Sequence, residues 1–254
     1  CGYPAAALYS GMSPEEIRHT EAQMIAGAYR LVFVAPERLL TPRFLQIVGL
    51  ARIRAFAVDE AHCISQWGHD FRPEYRQLAG LKNRFPNTSI HAYTATATER
   101  VRGDITAQLR LRNPLTLVGN FDRPNLVYRV VPRVDARAQV LEILQRRRGQ
   151  AAIVYCISRK DTESLASFLQ AHGVRAGFYH AGMEPDERRL TQDKFAAEKL
   201  DVVAATVAFG MGIDRSDVRC VIHAAMPKSV EHYQQETGRA GRDAPRRAVR
   251  ANGH

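Results

Sequence analysis

Short apolar runs rich in Val, Ile, Phe and Ala alternate along this chain with longer amphipathic stretches, and that alternation limits the fold more than any single residue does. Residues 30–35 (RLVFVA), 54–58 (RAFAV) and 89–93 (SIHAY) read as strands, each bounded by charges or turn formers. Helical stretches separate them. Ser13, Pro14, Glu15 and Glu16 form a capping box with proline in the first turn, which predicts a helix start at that point. Pro36 restarts a helix directly after the first of these strands, residues from 41 onward continue in helical period, and further helices are predicted over 73–85 and 98–109. Strands this apolar, separated by helices, imply parallel sheet covered on both faces.

Periodicity fails between residues 113 and 132, where Pro114, Pro124, Pro132 and the turn-like FDRPN mark a domain boundary. A second series follows. It comprises helix 135–148, strand 151–156 (AAIVYC), helix 159–172 with Gly173 as a left-handed cap, strand 174–180, helix 184–199, strands 201–206 and 218–223, and helix 230–242. The expected organisation is therefore an α/β chain with one lobe over 1–118, a linker at 119–134, a second lobe over 135–243 and an unstructured tail at 244–254.

Charge points to the class of partner. Thirty-six Lys and Arg against 26 Asp and Glu give a net charge of +10, which favours a polyanion such as nucleic acid. The four cysteines, Cys1, Cys63, Cys156 and Cys220, lie far apart without a CxxC pair, so neither a zinc site nor a disulfide framework is expected, and a reducing, cytoplasmic setting fits. No apolar stretch is long enough for a membrane span, and no signal peptide is visible. Because the chain starts at Cys1, we expect it to be a fragment of a longer protein.

Residues 55–75 (AFAVDEAHCISQWGHDFRPEY) carry the most chemistry. An apolar strand delivers Asp59 and Glu60, which read either as a solvated strand end or as a metal and water pair, Asp59 holding Mg²⁺ on a nucleotide and Glu60 orienting the attacking water. His62 is either a structural histidine or a polar link from the acids to Thr94 and Thr96. In the following loop Trp67, His69, Phe71 and Arg72 are interleaved around Gly68. Buried aromatics are one reading; stacking on bases and contacting phosphates is the other, favoured by the surrounding polar composition. In the second lobe Arg239 and Arg242 lie three apart in QETGRAGR beside Gln235, a spacing that on a helix puts both on one face, where they are either an ordinary basic surface or donors to a transferring phosphoryl group. Residues 206–214 (TVAFGMGID) read as a flexible connection or as a nucleotide-facing loop, with Thr206, Gly212 and Asp214 as its candidates.

Taken together, the strings VAPERL, VDEAH, CISQWGHDFRPEY, TATAT, FDRPNL, IVYCISRKDTESL, YHAGM, VVAATVAFGMGIDRSDVR and HYQQETGRAGRD resemble the RecQ family of superfamily 2 DNA helicases, in order and over almost the whole chain. The resemblance implies two tandem RecA-like lobes of the P-loop NTPase type, the first incomplete, that bind ATP and Mg²⁺, translocate 3′ to 5′ on single-stranded DNA and separate duplex DNA in repair and recombination. It assigns Asp59, Glu60, His62, Arg239 and Arg242 to catalysis, and Thr94, Thr96, Gly212, Asp214 and Gln235 to ATP binding or coupling. Trp67, His69, Phe71, Arg72 and Thr206 fall to nucleic acid. The 254 residues contain no GxxxxGK[ST] phosphate loop, no adenine-recognising glutamine segment and no zinc-binding domain of the family, so this chain by itself is expected to be inactive. A DEAD-box RNA helicase is the alternative enzyme, disfavoured by His62 and the Trp67 loop; a non-catalytic nucleic-acid-binding remnant is the alternative outside enzymes.

Overall fold

The structure is a computed structural model that describes residues 2–68, 70–95, 97–119, 123–206, 209 and 215–243. The chain divides into two compact units between Val118 and Gly119.

The first unit is built on two parallel strand pairs. Strand β1 (Ala5–Leu8) pairs with β2 (Leu31–Val34), and β3 (Ala55–Val58) with β4 (Ser89–Ala92). Helix α1 (Pro14–Ile25) crosses between β1 and β2, and its capping box forms as its sequence predicts: Glu16 N donates to Ser13 Oγ at 3.2 Å, and Ser13 N to Glu16 Oε2 at 2.7 Å. Helices α2 (Pro36–Leu39) and α3 (Pro42–Leu50) lead into β3. The predicted helix over 73–85 is instead three short pieces: α4 (Pro73–Gln77), a 3₁₀ turn (Leu78–Gly80) and α5 (Leu81–Arg84). Gly80 lies at the break, where its low helix propensity favours interruption. Helix α6 (Glu99–Gln108) closes the unit, with Thr98 accepting from Val101 N.

Two apolar clusters lie under these pairs, one of Leu8, Met24, Phe44, Ile47 and Val48, the other including Val58, Ile64, Leu78, Leu81, Val101 and Leu109. Phe56 and Phe85 belong to both and meet with ring centroids 5.6 Å apart, which joins the pairs into one body. Strand β1 was not legible as a strand, because AAAL lacks the β-branched and aromatic residues that mark one.

The second unit carries a four-stranded parallel sheet ordered β6-β7-β5-β8, from β5 (Ala151–Tyr155), β6 (Ala176–Tyr179), β7 (Val202–Ala205) and β8 (Val218–His223). Every residue of β5 and β7 is buried, as parallel strands covered on both faces should be. Alternate side chains go to opposite cores. Ala152, Val154, Val202 and Ala204 pack with α7 (Ala136–Gln145) and α8 (Arg159–Ala171), whereas Ile153, Tyr155, Val203 and Ala205 pack with Phe195 of α9 (Pro185–Ala196) and Phe209. Gly173 stands at φ +76° after α8, the left-handed position its place predicts.

Helix α10 (Val230–Thr237) ends sooner than its sequence suggests, so Arg239 and Arg242 lie in the turns beyond it and not on a helical face. Two glycines at 238 and 241, the latter at φ +63°, explain the early stop. The turn is tied down by the segment expected as linker: Arg123 Nη2 donates to the carbonyls of Ala240 (3.0 Å) and Gly241 (3.1 Å), and Asn125 Nδ2 to that of Gly241 (2.9 Å). Among the described residues no helix is long and apolar enough to cross a membrane.

Candidate functional site

In the first unit, strand register assembles the site. Val58 pairs with Ala92, so the residues that follow, Asp59 and Glu60 from β3 and Tyr93 and Thr94 from β4, leave the sheet side by side at its carboxyl edge. Tyr93 N donates to Val58 O at 2.8 Å and Ala61 N to Tyr93 O at 2.9 Å, which locks the two exits together. Between them Glu60 adopts φ 49°, ψ 40°, a left-handed conformation uncommon for a residue with a Cβ. It turns the chain out of the strand and into a 3₁₀ turn (Ala61–Ile64) that is wholly buried.

That turn carries His62 inward. Its Nδ1 lies 2.9 Å from Thr94 Oγ1 and 3.3 Å from Glu60 Oε2, joining the acidic strand end to the next strand across 32 residues of sequence. The hydrogen bond of Nδ1 is to Thr94, and the Glu60 carboxylate beside it favours the proton on that nitrogen, which leaves the lone pair on Nε2. Nε2 faces the Cys63 thiol at 3.7 Å. Burial pushes that thiol up to about 11, partly offset by Arg72. Asp59 is exposed, and its Oδ1 accepts from Glu60 N at 2.9 Å.

Beyond Ile64 the chain makes a tight loop. Gly68 N donates to Ser65 O (3.0 Å), Trp67 N to Ser65 Oγ (3.2 Å), and Arg72 N returns to Cys63 O (2.9 Å). Trp67 is 60% exposed, so it does not tuck into the core; the guanidinium of Arg100, from the first turn of α6, covers its ring. Phe71 is exposed too, with Arg76 6.0 Å from its centroid. Arg72 grips Asp70 Oδ2 through Nε (3.1 Å) and Nη2 (2.6 Å). His69 and Thr96 lie outside the described residues.

The second unit repeats the principle. Tyr155 pairs in register with Ala205 on one side and His223 on the other, so the ends of β5, β7 and β8 converge. The Tyr155 hydroxyl accepts from Arg239 Nε at 3.0 Å and donates to Phe209 O at 3.0 Å. Burial pushes it up to about 12, against the pull of Arg239. Arg242 Nε donates to Gly238 O at 3.1 Å. Thr206 follows β7, its N–H bonded to Tyr179 O and its carbonyl to Phe209 N. Gln235 is half-buried on α10 beside Glu236, which is buried against His223 at 2.7 Å. Gly212 and Asp214 lie outside the described residues.

Sequence reasoning named neither Arg100 nor Tyr155 as a site residue. Arg100 sits two positions past the Thr98 cap, where it reads as an ordinary helix-surface cation, and Tyr155 reads as core.

A family model described as DEAD/DEAH box helicase matches residues 2–104, and one described as helicase conserved C-terminal domain matches residues 135–244. The ATP-dependent DNA helicase RecQ of Pasteurella multocida is 44% identical over 242 residues, 95% of this chain and 38% of the relative. The rat ATP-dependent DNA helicase Q1 is 44% identical over 254 residues, 95% of this chain and 41% of the relative. The chain thus spans about two fifths of the length of the curated relatives it matches. Two solved structures share the fold over 95% of the chain: the DUF1998 helicase MrfA bound to DNA (TM-score 0.69, 18% identity, 35% of that chain) and Saccharomyces cerevisiae Dbp5 bound to RNA and ADP BeF3 (TM-score 0.62, 20% identity, 68% of that chain). The fold is that of two tandem RecA-like helicase lobes with parallel sheets flanked by helices.

Proposed function

Because the chain belongs to the RecQ family of helicases, we propose that it is the core of an ATP-dependent motor that moves 3′ to 5′ along single-stranded DNA and opens duplexes in repair and recombination. The observation that carries this reading is the run from Glu60 through the His62 and Thr94 contact to an exposed Trp67: an acidic strand end and an aromatic loop share one short, rigid piece of backbone.

Asp59, an exposed oxygen donor at a sheet's carboxyl edge, suits Mg²⁺, which is commonly held by one or two carboxylates together with substrate phosphates. Asp59 would hold the ion, which would supply positive charge beside the phosphates of bound ATP. Glu60 orients the attacking water, and His62 ties that carboxylate to Thr94 so that movement of either strand end reaches it. Thr96, Gly212, Asp214 and Gln235 complete the nucleotide and coupling set. Arg239 and Arg242 supply positive charge to the transferring phosphoryl group, with Arg239 held by Tyr155. Trp67, His69, Phe71, Arg72 and Thr206 take the DNA, aromatics on bases and cations on phosphates.

The experiment is binding of single-stranded DNA, and of RNA of matched sequence, to the 254-residue polypeptide, followed by fluorescence anisotropy over a salt series. Tighter binding to DNA, weakening as salt rises, supports the reading; preference for RNA points to the DEAD-box alternative. The same polypeptide is expected to show negligible DNA-stimulated ATP hydrolysis, since it contains no GxxxxGK[ST]. Robust turnover overturns the requirement for that loop.

A further inference from the structure

We infer that His62, Cys63 and Asp70 form a binding site for one thiophilic divalent cation, of the zinc, cadmium or cobalt class, separate from the Mg²⁺ position at Asp59. The ligand atoms of these three residues lie within 4.8 Å of one another. Cys63 Sγ stands 3.7 Å from His62 Nε2 and 3.9 Å from Asp70 Oδ2. Zinc bonds of roughly 2.0 to 2.3 Å at tetrahedral angles hold nitrogen, oxygen and sulfur ligands about 3.5 Å apart. The two separations are thus within a few tenths of an ångström of those a tetrahedral ion imposes.

The donor set and its surroundings suit the same ion. One thiolate, one imidazole and one carboxylate leave a fourth position for water, the open arrangement found at zinc sites that exchange ligands. His62 presents the lone pair of Nε2, because Nδ1 is hydrogen-bonded to Thr94 with the Glu60 carboxylate 3.3 Å away; a hydrogen-bond partner behind a metal-bound histidine fixes its tautomer and orientation. His62 and Cys63 are 2% and 1% exposed, whereas the Asp70 side chain is 46% exposed and gives the ion a route from solvent. On binding, the Cys63 thiol releases its proton to water and the ion takes the proton's place on the buried sulfur. Arg72 competes for Asp70 Oδ2, so the ion must draw that oxygen away from the guanidinium, and Arg72 then has only Oδ1 left on Asp70.

The test is titration of the 254-residue polypeptide with Co²⁺, read by the visible bands of tetrahedral cobalt and the ultraviolet thiolate-to-cobalt charge-transfer band. One equivalent is expected to bring up both bands. Cys63→Ser is expected to remove the charge-transfer band, although Cys1, Cys156 and Cys220 remain. Asp70→Asn, a change at an exposed side chain that leaves the fold intact, is expected to weaken Co²⁺ binding about tenfold or more, and Thr94→Val, behind the histidine, about tenfold. A charge-transfer band that persists in Cys63→Ser, or a Co²⁺ affinity unchanged in Asp70→Asn, overturns the assignment. These readouts need neither DNA nor ATP, so they stand or fall apart from the helicase reading.

Discussion

The guanidinium carbon of Arg100 lies 3.4 Å from the centre of the Trp67 ring. The pair joins α6, which follows β4, to the loop that follows β3, and it is a stacked cation–π contact worth about 0.5–1 kcal/mol at an exposed site. Since Trp67 is the sole tryptophan, all tryptophan emission comes from this ring and its surroundings. Arg100→Ala is expected to change the emission maximum and lower the anisotropy of Trp67, and to weaken single-stranded DNA binding because both a cation and an ordered stacking surface are lost. An emission spectrum identical to that of the unmodified chain counts against the stack.

Gly68 is required by its neighbours rather than by its dihedral angles. A Cβ at this position would run into the backbone carbonyl of His62, with the Ser65 carbonyl 3.2 Å away, and neither backbone atom can step aside like a side-chain tip. Gly68→Ala is expected to cost roughly 1–3 kcal/mol of stability and to shift Trp67 emission, measured by urea denaturation followed at that residue. A full-stability variant with native emission speaks against the tight loop.

Tyr155→Phe removes one hydroxyl and two hydrogen bonds while keeping the ring, and hence the stack on His223 at 5.6 Å. The Phe209 carbonyl loses its donor and Arg239 loses this acceptor. The expected loss is about 1–3 kcal/mol, read as a lower urea midpoint for the second unit. In a DNA-stimulated enzyme carrying this core, turnover should also fall without an equal fall in DNA affinity, because Arg239 is positioned through Tyr155.

Stability should drop in alkali through Cys156. Burial pushes this thiol from its ordinary value of 9.0 up to about 11, with Asp161 acting in the same direction. The folded chain therefore keeps a proton that the unfolded chain releases, so its contribution is complete below pH 9 and disappears as pH rises through about 11. Urea midpoints measured across this window are expected to fall more steeply in the unmodified chain than in Cys156→Ala, which lacks this thiol but keeps those of Cys63 and the other groups that titrate in alkali. Parallel slopes would remove Cys156 from the account.

Strand and helix alternation was enough to read parallel α/β architecture, the Ser13 cap, the Gly173 turn and the delivery of Asp59 and Glu60 to a strand end. Each depends on residues close in sequence. The misreadings have two causes: helix 73–85 breaks at Gly80 and α10 stops before Arg239 because glycines outweigh helical spacing, whereas β1 hides in an alanine-rich run.

What the sequence determined by itself is therefore periodic: which segments are strands, which face of each is apolar, and that reactive side chains leave the sheet at its carboxyl edge. What tertiary structure alone decided is pairing. His62 meets Thr94 because Val58 and Ala92 share a register; Arg100 covers Trp67 because α6 starts beside the loop; and Tyr155 reaches Arg239, 84 residues away, because β5 lies between β7 and β8. Periodicity is a property of neighbours along one chain, fixed by backbone geometry, whereas strand order and register depend on the packing of the whole domain, so contacts across 32 or 84 residues have no local signal to carry them.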